Sequence, residues 1–167
     1  MKILIDIGHP AHVHLFRNFY IEMREKDVSI IVTVKDIPSA KELLELFAIE
    51  YIEIGEKYDS MIGKIFTQLK YDWSLFKIVK KHKIDFGLGT SITLSHVSKF
   101  TKMKSFIFDD DDSSIEPLFA KFAHPFADYI ISPDPLAFER TKINHVNYSG
   151  YHELAYLHPK RFQPDPA

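Results

Sequence analysis

The chain has 167 residues, 46% hydrophobic and 26% charged, with a formal net charge of -2 and no cysteine. That length and mix suit one globular domain with a real core, and they exclude disulfides and thiolate metal sites. The slightly acidic balance disfavours a nucleic-acid binder, which would carry a basic stripe. No apolar run is long enough to span a membrane. Met1-Lys2-Ile3-Leu4 enters a strand at once without a signal-peptide layout, so a cytoplasmic location is expected.

Lys2 to Gly8 reads as a buried strand, followed by a helix from His12 to Lys26 that repeats Val13, Phe16, Tyr20 and Met23 at helical intervals. Val28 to Val34 is rich in β-branched residues and reads as a second strand. Ser39-x-x-Glu42 has the capping-box pattern and opens a short helix through Phe47. Ile49 to Ile54 is a third strand stopped by Gly55, and Ser60 to about Lys81 is a long amphipathic helix. Ile84 to Leu88 is a fourth strand, Ile92 to Phe100 a helix, and Lys104 to Phe108 a fifth strand. Four aspartates follow it, and Ser113-x-x-Glu116 is a second capping box before another helix. Asp128 to Ile131 reads as a sixth strand and Val146 to Tyr148 as a seventh.

Strands alternating with helices imply βαβ units and a parallel sheet. Nearly all-apolar strands fit burial on both faces. The expected fold is a Rossmann-like, doubly wound, three-layer α/β sandwich of six to seven strands. It would occupy residues 1–157, with 158–167, rich in proline, as a linker toward a further domain.

In the long helix, Phe66, Leu69, Trp73, Phe76 and Val79 recur at helical spacing. Such a stripe reads first as a face packed on the sheet. Lys64, Lys70, Lys77, Lys80, Lys81 and Lys83 lie in and just after the same segment. They leave a second reading open, a surface for an anionic membrane or a partner.

The polar candidates gather at the carboxyl ends of predicted strands, where an open α/β sheet binds its ligand. Three of the nine histidines, His9, His12 and His14, fall in the turn after the first strand. Gly8 lets that turn come close to a ligand, and the following helix offers free N–H groups to an anion. His9 is the candidate for proton transfer; the bland alternative makes His9 and His12 caps bonded to backbone. His12 and His14, if helical, point to opposite faces and cannot share a metal. No metal and no cofactor is therefore assigned. Arg17, farther along the helix, would reach a phosphate or carboxylate in the crevice, or else sit in a solvated ion pair.

Gly89, Thr90 and Ser91 form a small-residue turn suited to a phosphate or sugar hydroxyl, with a simple N-cap at Ser91 as the alternative. Neither the dinucleotide fingerprint nor a Walker A sequence is present. Clustered carboxylates can hold Mg²⁺ or Ca²⁺; Asp109 and Asp110 are candidates for an acid or for sugar contacts, whereas Asp111 and Asp112 read as leads into the next helix. Gly150, Tyr151, His152 and Glu153 follow the last strand as a further candidate group.

The opening KILIDIGHPAHVHLFRNF, the FDD after a buried strand, PFADYIISP and the closing YSGYHELAYLHP resemble the family named domain of unknown function 354. Through it the chain resembles the N-terminal half of GT-B enzymes, the group of UDP-N-acetylglucosamine 2-epimerase and the peptidoglycan N-acetylglucosaminyltransferase. The resemblance implies two Rossmann-like domains around a cleft, with the acceptor on the first and most of the nucleotide-sugar donor on the second. It puts Gly8, His9, Pro10 and His12 in the loop that reaches this cleft, with His9 as acid or base. Asp109 and Asp110 would face the cleft, and Gly150, Tyr151 and Glu153 would lie in the crossover to the second domain. The implied chemistry needs no bound metal.

The expected function is thus the acceptor-side domain of a glycosyltransferase or sugar epimerase, inactive as an isolated chain. Its partners would be a nucleotide sugar and an acceptor, engaged through a second domain. The alternatives are a non-catalytic sugar or phosphate module and a membrane-surface assembly subunit; a homo-oligomer is left open.

Overall fold

The computed structural model describes residues 1–55, 61–137 and 144–162. Seven strands form one parallel sheet: β1 Lys2–Ile7, β2 Ser29–Val34, β3 Ile52–Glu53, β4 Phe86–Gly89, β5 Lys104–Phe108, β6 Tyr129–Pro133 and β7 His145–Tyr148. Their order is β3-β2-β1-β4-β5-β6-β7, and every neighbouring pair is parallel. The helices are α1 Pro10–Glu25, α2 Pro38–Leu46, α3 Met61–His82, α4 Ile92–Lys99, α5 Pro117–Phe122 and α6 Leu154–Leu157, with a 3-10 turn over His124–Phe126. The chain winds outward from β1 to β3, then returns to β4 on the other side of β1. Between β1 and β4 the loops therefore diverge, which opens a crevice at their carboxyl ends.

Burial alternates along β1. Ile3, Ile5 and Ile7 pack with Val13, Phe16, Ala40 and Leu44 on one face; Leu4 packs with Leu75, Val79, Leu94, Ile107 and Ile130 on the other. The strand is buried on both sides, as its unbroken apolar run requires. Asp6 shares Leu4's side by the two-residue period. It is fully buried and accepts a 2.8 Å bond from Thr33 Oγ1.

Glycine sets the spacing at β4. A Cβ on Gly87 would lie 2.6 Å from Leu94 Cδ2, and one on Gly89 2.7 Å from the Asp6 carbonyl oxygen. These positions let α4 and β1 close on β4. Gly89→Ala is expected to cost about 1–3 kcal/mol by overpacking, read as a lower urea midpoint; an unchanged midpoint would contradict this packing role.

Several local expectations are corrected. The third strand pairs only through Ile52 and Glu53, because Ile49 closes α2 instead, donating its N–H to the Leu44 carbonyl at 2.9 Å. Neither capping box opens its helix. Pro38 takes the first turn of α2 behind an Ile37 cap with no side-chain bond, a position that proline's fixed φ favours. Pro117 likewise starts α5 behind Glu116, while Asp112 Oδ1 accepts from Ser114 N–H at 2.8 Å in a separate turn.

The aromatic stripe of α3 is corrected in part: its Val79 is buried and its Phe76 packs half-buried against the core. Tyr71, Leu75 and Val79 are the residues buried on the sheet, whereas Phe66, Leu69 and Trp73 are 63%, 58% and 61% exposed. At about 100° per residue the two sets fall on opposite sides of one helix. In the proline-rich tail, Arg161 Nη2 donates to Glu22 of α1 at 3.0 Å, and Asn18 of α1 donates to the Ala155 carbonyl of α6 at 2.7 Å. Residues 163–167 of the expected linker lie outside the described residues.

Candidate functional site

The carboxyl edge of the sheet holds a cleft of about 440 Å³ lined by Gly8, His9, His12, Thr90, Asp109, Asp110, Asp111 and Glu116. His9 caps α1, and Pro10 takes the first turn behind it. His9 Nδ1 accepts the Ala11 N–H at 3.2 Å. A neutral ring in that bond keeps its proton on Nε2. His9 is therefore set to donate from Nε2 into the cleft while it caps the helix.

His12 is fixed between two loops. Gly8 N–H donates to Nδ1 at 3.3 Å, and Thr90 Oγ1 lies 2.7 Å from Nε2. With Nδ1 accepting, Nε2–H donates to Thr90. Burial, with help from neighbouring His9 and Lys35, pushes the ring's pKa down to about 4. His12 is thus a neutral strut that ties the β1 loop to the β4 loop, not a charge at neutral pH.

The opposite wall is two carboxylate–imidazole pairs side by side. His124 Nε2 donates to Asp109 Oδ2 at 2.6 Å, and both groups are largely buried. Asp109 Oδ1 also accepts the Asp111 N–H at 3.3 Å. His152 Nδ1 lies 3.0 Å from Asp110 Oδ2. That hydrogen bond holds the Asp110 carboxyl below its ordinary value, against the opposing effect of burial. Glu116 at the rim moves the other way, pushed up by burial and by Asp111, Asp109 and Asp110. This wall is rich in oxygen acceptors, which suits hydroxyl donors and repels a diphosphate.

The structure brings Gly8, His9, His12, Thr90, Asp109 and Asp110 together. The remaining candidates sit elsewhere. Arg17 lies 4.0 Å over the Phe47 ring, in a separate cleft with His14, Asn18 and Tyr156, because it leaves α1 on another side from His12. His14 likewise turns to Phe47 and Tyr156, at ring separations of 5.7 and 5.5 Å. Gly89 is taken up by packing on Asp6 and Leu94. Ser91 occupies the cap position of α4 without a side-chain cap bond, and its buried Oγ has no partner. Gly150 takes a φ of 132°, which glycine adopts easily. Tyr151 and Glu153 are exposed around the start of α6. Among the described residues, no three histidine or carboxylate side chains converge as a metal-holding group.

Sequence reasoning missed His124 and Glu116, and it placed His152 among the candidate groups without its partner Asp110. His152 was visible inside the closing motif, yet only the turn that buries it between Phe108 and Tyr148 aims it at Asp110. His124 carries no local signal, since its partner comes from the preceding strand end.

These features define a Rossmann-like α/β domain with a polar crevice at its topological switch point. The chain belongs to the family described as "Protein of unknown function (DUF354)", whose model matches residues 1–159. No curated protein matches it. Among solved structures it is similar to the UDP-GlcNAc 2-epimerase from Neisseria meningitidis bound to UDP-GlcNAc. That match has a TM-score of 0.75 at 13% identity and covers 94% of this chain and 49% of that one. The UDP-GlcNAc 2-epimerase from Methanocaldococcus jannaschii gives 0.74 at 13% identity, over 94% and 48%. MurG of Acinetobacter baumannii gives 0.65 at 14% identity, over 90% and 45%. At such identities the likeness is one of fold, and the chain spans about half the length of each structure.

Proposed function

We propose that the chain is the N-terminal, acceptor-side domain of a GT-B-like nucleotide-sugar enzyme, a glycosyltransferase or a sugar epimerase. One observation carries the reading. A histidine that donates from Nε2 and two imidazole-paired aspartates face one cleft at the β1–β4 switch point. Hydroxyl groups of a sugar or acceptor suit the aspartate wall, and His9 acts on an oxygen of the reacting group. The diphosphate, disfavoured by that wall, falls to a second domain that follows the proline-rich tail or comes on another chain. The similar epimerase bound to UDP-GlcNAc supports a nucleotide sugar as partner.

The 167-residue chain by itself is expected to show no turnover and to bind UDP-N-acetylglucosamine with a Kd weaker than about 1 mM. Isothermal titration and a coupled assay for released or epimerised UDP-sugar check both points. Turnover by the lone chain would overturn the division of labour. Tight saturable binding without turnover would favour a non-catalytic module.

A further inference from the structure

We propose that the face formed by α3 and the end of α4 docks on the surface of an anionic lipid bilayer. The inference stands apart from the nucleotide-sugar reading, because it uses none of the cleft residues.

Phe66, Leu69 and Trp73 stand out on α3, and Phe100, just past α4, is 76% exposed. Between the two helices lies a groove of about 490 Å³ whose walls include Leu69, Trp73, Phe76, Val97 and Phe100. Trp73 stacks on Phe76 with ring centroids 5.6 Å apart. Large apolar side chains exposed together mark an interaction surface, whereas scattered ones do not.

The charge around this face selects the occupant. Lys77 and Lys80 are exposed on α3, on the same side of the helix as Phe66 and Trp73 by the helical period. Lys99 and Lys102 flank Phe100 and are exposed as well. The acids at this face are already engaged. Asp72 is held by His96 at 2.9 Å and Gln68 at 2.6 Å, and Asp128 lies 3.1 Å from Lys104 and 3.6 Å from Lys99. A basic apolar face has thus gathered on a chain whose net charge is -2. A second copy placed here across a two-fold axis would set lysine against lysine. An anionic bilayer takes both features: aromatic rings sit at headgroup depth, and lysine stems lie along apolar surface while their ammonium groups reach lipid phosphates. No helix among the described residues is long and apolar enough to cross a membrane, so the contact is peripheral.

Trp73 is the chain's single tryptophan, so its fluorescence reports this face alone. The purified protein is titrated with vesicles of phosphatidylglycerol and phosphatidylcholine, and with phosphatidylcholine alone. The expected result is a blue shift and co-sedimentation with the anionic vesicles only, reversed in about 0.5 M salt. Lys77→Glu with Lys80→Glu should weaken partitioning by about tenfold or more, and so should Leu69→Ser with Phe100→Ser. All four positions are exposed, and circular dichroism confirms that the variants fold. Absence of binding to anionic vesicles at low salt would overturn the proposal, as would binding that both double variants leave unchanged. A blue shift that grows with protein concentration alone, with a dimer in sedimentation and vesicles left unbound, would assign the face to self-association instead. Failure to bind a nucleotide sugar changes none of these readouts.

Discussion

Under the proposed function, replacing His9 by alanine is expected to lower kcat, measured with a second domain present, by about 10²- to 10⁴-fold, the range of a positioned proton donor. The fold should hardly notice. The His9 side chain is exposed, and its one side-chain hydrogen bond among the described residues is the cap to Ala11 N–H, worth about 1 kcal/mol. His9→Asn separates the two roles, because asparagine caps a helix as well as any residue but offers no imidazole. The asparagine variant should regain the alanine variant's lost stability and none of its activity. Turnover near the unmodified level in His9→Asn would remove the ring from the chemistry and leave His9 as a cap.

The second large effect is a loss of stability in mild acid through His12. Its pKa is about 4 when folded, against 6.5 when unfolded. Between those values the unfolded chain binds a proton that the folded chain refuses. The contribution of His12 to stability is therefore complete above pH 6.5, falls as the pH drops toward 4, and changes little below that. At about 1.4 kcal/mol per pH unit, the whole fall amounts to about 3–4 kcal/mol. Burial is the chief cause, reinforced by His9, Lys35 and His152 and opposed by Asp110. Asp110, whose folded pKa lies below the ordinary carboxylate value, adds its own loss only in stronger acid. Urea unfolding at pH 7 and pH 4.5 measures the difference. His12→Gln, neutral at every pH, should flatten the curve over this window; an equal slope in the variant would contradict the assignment. The same neutrality has a structural use, since a charged ring could no longer accept the Gly8 N–H while it donates to Thr90.

Much of the fold was legible in the sequence because both of its periods are strong. The apolar runs of β1, β2 and β5 announce strands buried on two faces, and Val13 with Phe16 marks the inner side of α1. The boundaries failed where proline and a helix end compete with a local motif, as at Ser39 and at Ile49. On α3, aromatic spacing showed a helix but could not show which side meets the sheet: Thr67, Tyr71, Leu75 and Val79 also repeat at helical spacing, and these are the buried set. The histidine turn and the first two aspartates were legible at the site, since both sit at strand ends where the topology gathers ligand-facing groups. The imidazoles that pair with those aspartates were not. His124 and His152 reach them through the fold, His124 after the short α5 and His152 after β7, and no local pattern encodes that approach. Arg17 was placed by distance along α1 alone, which ignores the rotation that turns it onto Phe47.

Under the proposed function, the crevice between the β1 and β4 loops holds the sugar. The most direct measurement is an amide NMR titration of the ¹⁵N-labelled chain with UDP-N-acetylglucosamine. Shifts confined to Gly8 through His12, Thr90 and Asp109 through Asp111 are the predicted result. Shifts gathered instead around Arg17, Phe47 and Tyr156 in the cleft between α1 and α6 would contradict it.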